Sequence, residues 1–135
     1  MTNEHNHGVV HFEITANDAE KLSQFYTELF GWQIQKVDMG NMPYYVVSTV
    51  PSGEDGMPSV AGAINGGIAP RMMPEQRVTN YVSVEDVATY TAKAKGLGAQ
   101  VAVDKMAIPG MGYFAVFIDP EGNPCGVWQN DSSAS

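Results

Sequence analysis

The sequence predicts an α+β protein built from two copies of one unit, in which a strand is followed by a helix and then by a meander of strands. Helical apolar periodicity occurs twice along the 135 residues. Each time, a β-rich run precedes it and short extended runs separated by turn residues follow it. A repeated order of elements indicates a repeated structural unit, so each helix is expected to cover one face of its own sheet.

The first unit begins with a β-rich run at 9–15. Asn17 with Glu20 three residues later predicts a capping box at the start of the helix. Gly31 suits the left-handed residue that ends a helix. Between them, apolar residues recur at the spacing of one helical face: Leu22, Phe25, Tyr26, Leu29 and Phe30. Strands are then predicted at 32–37, 44–50 and 60–65.

The second unit repeats this order from a strand at 78–84. Its helix opens at Glu85 and Asp86, ends among Gly96 and Gly98, and presents one shared face: Val87, Tyr90, Thr91 and Ala94. Strands follow at 99–103, 113–118 and 125–129. We therefore divide the chain into a flexible N-terminal tail at 1–8, a first module at 9–65, a connector with two Gly and two Pro at 66–77, a second module at 78–130 and a C-terminal tail at 131–135.

The charge balance argues against two classes of partner. Seven basic against 15 acidic residues give a formal net charge of -8, and no basic cluster relieves it. Nucleic-acid binding depends on clustered cations, and so does binding to an anionic membrane surface. We therefore predict no nucleic-acid or membrane partner, and a neutral or cationic ligand in preference to an anionic one.

Cysteine content and the N-terminus bear on localisation. The single cysteine, Cys125, excludes an intrachain disulfide and lies in an apolar run, as expected of a buried, inert thiol. The first eight residues are polar and lack the apolar core of a signal peptide. No stretch approaches the ~20 apolar residues that span a bilayer. These features predict a soluble, cytoplasmic protein.

His11 and Glu13 are the candidate catalytic pair. In a strand, His11 faces away from Val10 and Phe12, and Glu13 shares its face two residues on. If the helix covers the apolar side, both polar side chains lie on the other side, where they could exchange a proton with a bound molecule. Three interpretations of His11 stay open: a hydrogen-bonded structural residue, a ligand contact and a metal ligand.

Three segments carry a resemblance to a known family. They are HFEI at 11–14, FYTELFGW at 25–32 and DPEGN at 119–123, and together with the repeated unit the similarity covers about 9–129. The chain resembles the vicinal oxygen chelate superfamily, which includes glyoxalase I, bleomycin-resistance proteins and extradiol dioxygenases. The resemblance implies two βαβββ modules whose strands form a curved mixed sheet around a cavity.

The resemblance also implies where a metal would be held, by one ligand from the first and one from the last strand of each module. His11 matches the first of these ligands. The other three positions fall near Ile64 or Asn65, at Thr79 or Asn80, and near Gly126, none of which offers an imidazole or carboxylate. We therefore predict a degenerate metal site and no cofactor, with a divalent metal on His11 as the alternative.

The resemblance places several aromatic and amide side chains on the wall of the cavity. Core packing explains most aromatics in any protein, but some must face this cavity. The residues predicted to contact a ligand are Trp32, Tyr45, Asn65, Asn80, Tyr113 and Trp128.

We predict a glyoxalase- or bleomycin-resistance-like protein that binds a small, partly apolar organic molecule, and that forms a homodimer as sequestering relatives do. The alternative is an enzyme of the same superfamily: a lyase or isomerase that depends on His11 or on a metal, or a dioxygenase. A third hypothesis is a non-catalytic interaction module.

Overall fold

A computed structural model of the protein describes residues 6–39, 42–54 and 57–135. The predicted turn at 40–41 and the first five residues of the predicted tail lie outside the described residues. The elements are β1 (Val9–Ala16), α1 (Ala19–Phe30), β2 (Gln33–Met39), β3 (Met42–Ser48), β4 (Asn65–Pro70), β5 (Val78–Ser83), α2 (Val87–Gly96), β6 (Gln100–Ile108), β7 (Gly112–Ile118) and β8 (Pro124–Asn130).

The chain folds as two compact units. The first unit, His11–Val78, has strand order β2-β3-β4-β1, in which β1 is parallel to β4 and the other pairs are antiparallel. The second unit consists of Thr79–Ser135 and the described residues 6–10, and its strand order is β5-β8-β7-β6, with β5 parallel to β8. Each unit has one helix, so the predicted pair of βαβββ modules is confirmed.

Helix α1 begins one residue later than the capping prediction. Asp18, not Asn17, is the N-cap, and its carboxylate accepts a 3.0 Å hydrogen bond from the Lys21 amide. Gly31 ends the helix at φ 73°, as predicted. Only part of the predicted apolar face is covered: Leu22 and Tyr26 pack on the core, whereas three further members are more than half exposed, Phe25, Leu29 and Phe30.

Strand β4 lies further along the chain than the sequence predicted. The prediction placed a strand at 60–65 and a connector from Gly66, but the observed strand is Asn65–Pro70. The predicted connector at 66–77 includes Gly66 and Gly67, yet both lie inside the strand. A Cβ on Gly66 would collide with the carbonyl of Phe12 on the neighbouring strand β1. These glycines therefore allow groups of the neighbouring strands to lie close to β4, which is one of the reasons for glycine inside a strand.

Each unit has its core between its sheet and its helix. In the first unit Val47 and Ile68 are fully buried, with Ala16 and Tyr45 beside them. In the second unit the core consists of Val84, Val87, Ala115 and Val127.

The start of α2 is fixed by two side chains. The Asp86 carboxylate accepts a hydrogen bond from the Thr89 amide at 3.1 Å, and the side-chain oxygen Oε1 of Gln129 accepts one from the Val87 amide at 2.9 Å. The predicted helix face is confirmed, since Val87 and Thr91 are buried and Tyr90 is partly buried.

The DPEGN segment forms the tight turn between β7 and β8. The Asp119 carboxylate accepts from the amides of Glu121 and Asn123, both at 2.9 Å, and Gly122 has φ 88°. These hydrogen bonds hold the pKa of Asp119 below its ordinary value, the bond from the Asn123 amide having the largest effect. Among the described residues, no helix is both long and apolar enough to cross a membrane.

Candidate functional site

The sheet of the first unit has two chemically different faces. Phe12, Ile14 and Ile68 face the helix and join the core. Strand alternation puts His11 and Glu13 on the opposite side, which we call the open face. The register places Asn65 beside His11 and Gly67 beside Glu13, so the four positions form one block on this face.

Tyr44 completes the block from β3. Its hydroxyl lies 3.1 Å from Nε2 of His11, and its side chain is hydrogen-bonded to Glu13. Since β4 lies between β3 and β1, the Tyr44 ring must cross β4 to reach both partners. It does so over Gly67, where a Cβ would lie 2.7 Å from Cε2 of Tyr44 and closer still to its Cζ and hydroxyl oxygen. His11, Tyr44 and Glu13 are called the polar trio below.

Burial changes the acidity of two members of the polar trio. Desolvation lowers the pKa of His11, which favours the neutral imidazole at neutral pH. Desolvation raises the pKa of Glu13, and the hydrogen bond with Tyr44 offsets part of that rise. In one consistent arrangement, Nε2–H of His11 donates to the Tyr44 oxygen while the Tyr44 hydroxyl donates to the Glu13 carboxylate. Such a chain can move a proton between its ends.

Asn65, a predicted ligand contact, lies beside His11 but its amide binds elsewhere. Its Oδ1 accepts from the Thr49 amide at 2.8 Å and from the Thr49 hydroxyl at 3.1 Å, and its Nδ2 donates to Ser52 Oγ at 3.3 Å. In this structure Asn65 therefore fixes the segment that follows β3.

Trp32 and Tyr45, two further predicted ligand contacts, lie on the helix-facing side. The Trp32 ring stacks on Tyr26, with centroids 5.0 Å apart and planes at 17°. Tyr45 is in the core and lines two shallow cavities beside α1, of about 350 and 310 Å³, whose walls also share Glu20. The structure does not bring either aromatic residue to the polar trio.

In the second unit, Tyr113 and Asn80 lie on the side of the sheet that faces α2. Tyr113 packs on the helix-side core, and the Lys105 ammonium lies 4.3 Å from its ring centroid. Asn80 is exposed, and its neighbour Tyr81 pairs with Gly126 and takes the other face.

Trp128 is the predicted ligand contact that lies on the side of the second unit's sheet away from α2. It pairs with Phe114, and its indole lies across Gly112, where a Cβ would be 2.7 Å from Cζ2. The indole N–H donates to Oδ1 of Asn130 at 2.7 Å. Phe114 also makes an edge-to-face contact with Tyr81, with centroids 6.3 Å apart. This face carries three aromatic rings, of which Tyr81 is buried and Phe114 and Trp128 are partly exposed.

The donor set does not fit a divalent metal. Across the described ranges 6–39, 42–54 and 57–135, no three His, Cys, Asp or Glu side chains come close enough to hold an ion. The amide of Asn65 is already engaged, and Gly126 has no side chain. A stable site needs three or four such donors, so the described residues at the four positions that the superfamily resemblance assigns do not form one.

Tyr44 and Gly67 are the site residues that sequence reasoning missed. The adjacent pair Tyr44 and Tyr45 must point to opposite faces of a strand, but either register is compatible with the sequence. The Gly66-Gly67 pair could have indicated a strand whose neighbours pack closely over it, but two adjacent glycines are equally typical of a turn.

Comparison with known proteins supports the resemblance to the vicinal oxygen chelate superfamily. A family model described as a glyoxalase-like domain matches residues 10–128. A glyoxylase-like domain-containing protein of Didymella fabae is 30% identical over 114 residues, covering 82% of this chain and 84% of that protein. The anthracycline biosynthesis protein DnrV of Streptomyces peucetius is 30% identical over 129 residues, covering 87% of this chain but only 45% of DnrV. The chain thus spans less than half the length of DnrV.

Solved structures with the same fold include methylmalonyl-CoA epimerases. The Streptomyces coelicolor enzyme, solved with 2-nitronate-propionyl-CoA, gives a TM-score of 0.66 at 13% identity and covers 97% of this chain and 99% of that one. A second epimerase structure gives 0.63 at 15% identity, covering 96% and 99%. At these identities the similarity shows the fold alone.

Proposed function

Because this chain belongs to the glyoxalase-like domain family, we propose that it binds a small, partly apolar organic molecule on the open face of the first unit, without a metal. The observation that carries the proposal is the polar trio, in which one hydroxyl joins a neutral imidazole to a carboxyl of raised pKa. Convergent polar groups with altered acidity on a sheet face are typical of ligand sites.

The surroundings of the trio favour a ligand with an apolar part. Val46 pairs with Gly67, is 41% exposed and shares the open face with Tyr44. An apolar side chain beside a few hydrogen-bonding groups suits a molecule that presents a carbonyl or hydroxyl at one edge. The net charge of -8 favours a neutral or cationic molecule. In the second unit, the Trp128 indole is a separate candidate for stacking on a planar molecule.

The relatives suggest suitable probes. DnrV is described as an anthracycline biosynthesis protein, so planar aromatic ketones are a reasonable first class of ligand to test. Doxorubicin and its uncharged aglycone share the ring system and differ in a cationic sugar. The pair therefore separates the contribution of the ring from that of charge.

The test is titration calorimetry of both probes with the wild type, Tyr44→Phe and Tyr90→Phe. Tyr90 packs on the core of the second unit, so Tyr90→Phe is the matched control. We expect at least one probe to bind and Tyr44→Phe to weaken it by about tenfold, as expected for one lost hydrogen bond. Equal binding by all three proteins, or no binding of either probe, would count against the proposal.

Acid–base catalysis by the same trio is the second candidate. It is favoured by the displacements of the two pKa values, lowered for His11 and raised for Glu13, which bring the values closer together and so ease proton transfer between the two groups through one hydroxyl. The reaction class is proton transfer at a carbon next to a carbonyl, in a lyase or isomerase, and the fold neighbours named as epimerases are compatible with it.

Exchange of substrate hydrogen in heavy water tests this second function. Doxorubicin aglycone is the probe, because it is uncharged and has hydrogens on the carbon next to its side-chain ketone, and deuterium uptake is read by mass spectrometry. Uptake that is abolished in both His11→Ala and Glu13→Gln would support catalysis. Uptake that neither variant reduces would remove both residues from the reaction.

Two finer features are proposed from the sequence and the superfamily resemblance: a cytoplasmic location and a homodimer. Light scattering of the purified protein tests the second, since a mass near 14.6 kDa would indicate a monomer.

A further inference from the structure

We infer that Gly67 is a positioning residue of the proposed site: it leaves the space through which the Tyr44 ring crosses β4 to join His11 and Glu13. This inference deepens the proposed function and rests on the same polar trio. It concerns how the trio is assembled, so it can be tested without a ligand.

The path of the Tyr44 ring leaves no room for a side chain at Gly67. Tyr44 leaves β3, and the two groups that its hydroxyl contacts are on β1, two strands away in the order β3-β4-β1. A side chain on the open face of β4 at this level would lie in its path. The Cβ of any residue at Gly67 would fall 2.7 Å from Cε2 of Tyr44 and nearer to Cζ and the hydroxyl oxygen. The phenol would have to move.

The strand register also places Gly67 at the crossing point. Gly67 is paired with Glu13 on one side and with Val46 on the other, so it lies between the carboxyl and the strand that supplies the phenol. Glycine weakens a strand interior, because it has no side chain to pack and loses more backbone entropy on folding. Gly67 has no positive φ that would require glycine. The requirement is therefore space for Tyr44.

The Tyr44 hydroxyl is the polar group from the neighbouring strands that contacts His11 Nε2. Asn65, the β4 residue paired with His11, directs its amide to Thr49 and Ser52. The contact with His11 therefore depends on the path of the Tyr44 ring over Gly67.

The experiment is Gly67→Ala, read by NMR titration of the Glu13 carboxyl and the His11 imidazole. Because the hydrogen bond with Tyr44 lowers the pKa of Glu13, loss of that bond should raise the pKa further. We expect Gly67→Ala to raise the pKa of Glu13 as much as Tyr44→Phe does. The control is Gly96→Ala, at a helix position where a Cβ meets nothing within 4 Å, and it should leave both titrations unchanged.

A double variant keeps the test informative if Gly67→Ala folds poorly. In Tyr44→Ala the phenol is gone, so adding Gly67→Ala should leave the titrations unchanged and should not lower the unfolding midpoint. Wild-type titrations in Gly67→Ala would overturn the inference, and so would an equal loss of stability from Gly67→Ala with and without the Tyr44 ring. Calorimetry with doxorubicin aglycone is run in parallel. Shifted titrations with no aglycone binding by the wild type would uphold the role of Gly67 while contradicting the proposed function.

Discussion

Tyr44 and His11 are hydrogen-bonded across an intervening strand. The 3.1 Å contact joins β3 to β1 over β4, and the same hydroxyl is bonded to Glu13. These hydrogen bonds lie on the face of the sheet that α1 does not cover. The core of the unit lies on the other face, around Val47 and Ile68, and does not include them. This separation of core and site means that the two can be perturbed independently.

Tyr44→Phe should destabilise the protein by about 1–3 kcal/mol, because two partly buried partners lose a hydrogen bond while the ring remains. Urea unfolding measures the change, with Tyr90→Phe as control. A loss no larger than that of the control would mean that the hydroxyl is not a buried partner of His11 and Glu13.

Glu13→Gln should gain stability relative to the wild type as pH rises. A carboxyl whose folded pKa is raised contributes stability below its ordinary value of 4.5, and this contribution is lost as pH rises through the folded pKa. Gln cannot ionise, so the difference should grow above pH 4.5 and then level off. A difference that is constant with pH would contradict the raised pKa.

His11→Gln should show the opposite dependence. Burial lowers the pKa of His11, so the stability it contributes is present above its ordinary value of 6.5 and is lost as pH falls through the folded value. The variant should therefore gain on the wild type below pH 6.5. Chemical unfolding at a series of pH values measures the free energy of unfolding of both variants. A gain of His11→Gln on the wild type above pH 6.5 instead would contradict the lowered pKa.

Ile68→Ala should cost about 2–5 kcal/mol and Ile68→Val about 0.5–1.5 kcal/mol, because Ile68 is fully buried between the sheet and α1. The pKa of Glu13 should not change in Ile68→Val, since residue 68 faces the other side of the sheet. Unfolding curves and the NMR titration give the two readings. A changed pKa in the valine variant would show that core and site are coupled.

Cys125 should react slowly with thiol reagents at neutral pH. Burial, and secondarily the negative charge of Asp119, raises the pKa of its thiol, and the thiolate is the reactive form. Ellman's reagent should label the folded protein several-fold more slowly than the protein in urea. Equal rates would show that the thiol is neither shielded nor of raised pKa.

The sequence predicted where the helices and strands lie better than it predicted which side of the sheet each side chain faces. Periodicity located both helices, and the repeated order gave the two modules, because burial of an apolar face leaves a regular pattern. It did not distinguish Tyr44 from Tyr45, because a shift of one residue in register reverses the two faces of a strand. The placement of Trp32 was missed for a different reason: it precedes β2 and stacks on Tyr26 of α1, so strand alternation does not set the direction of its ring.

The predicted boundary after residue 65 failed for a different physical reason. Gly66-Gly67 is compatible both with a turn and with a crowded strand, and only the partners, Phe12 and Tyr44, decide between them. His11 and Glu13 were predicted to share a face, and the structure places them there. The residue that joins them lies 33 positions from His11 in the sequence, so no local pattern could indicate it.

The most direct test of ligand binding by the polar trio is amide NMR mapping with doxorubicin aglycone. The largest shifts are expected at His11, Glu13, Tyr44 and Gly67, and these shifts should be lost in Tyr44→Phe. Shifts confined to the cavities beside α1, around Glu20 and Tyr45, would contradict the assignment of the open face as the binding surface.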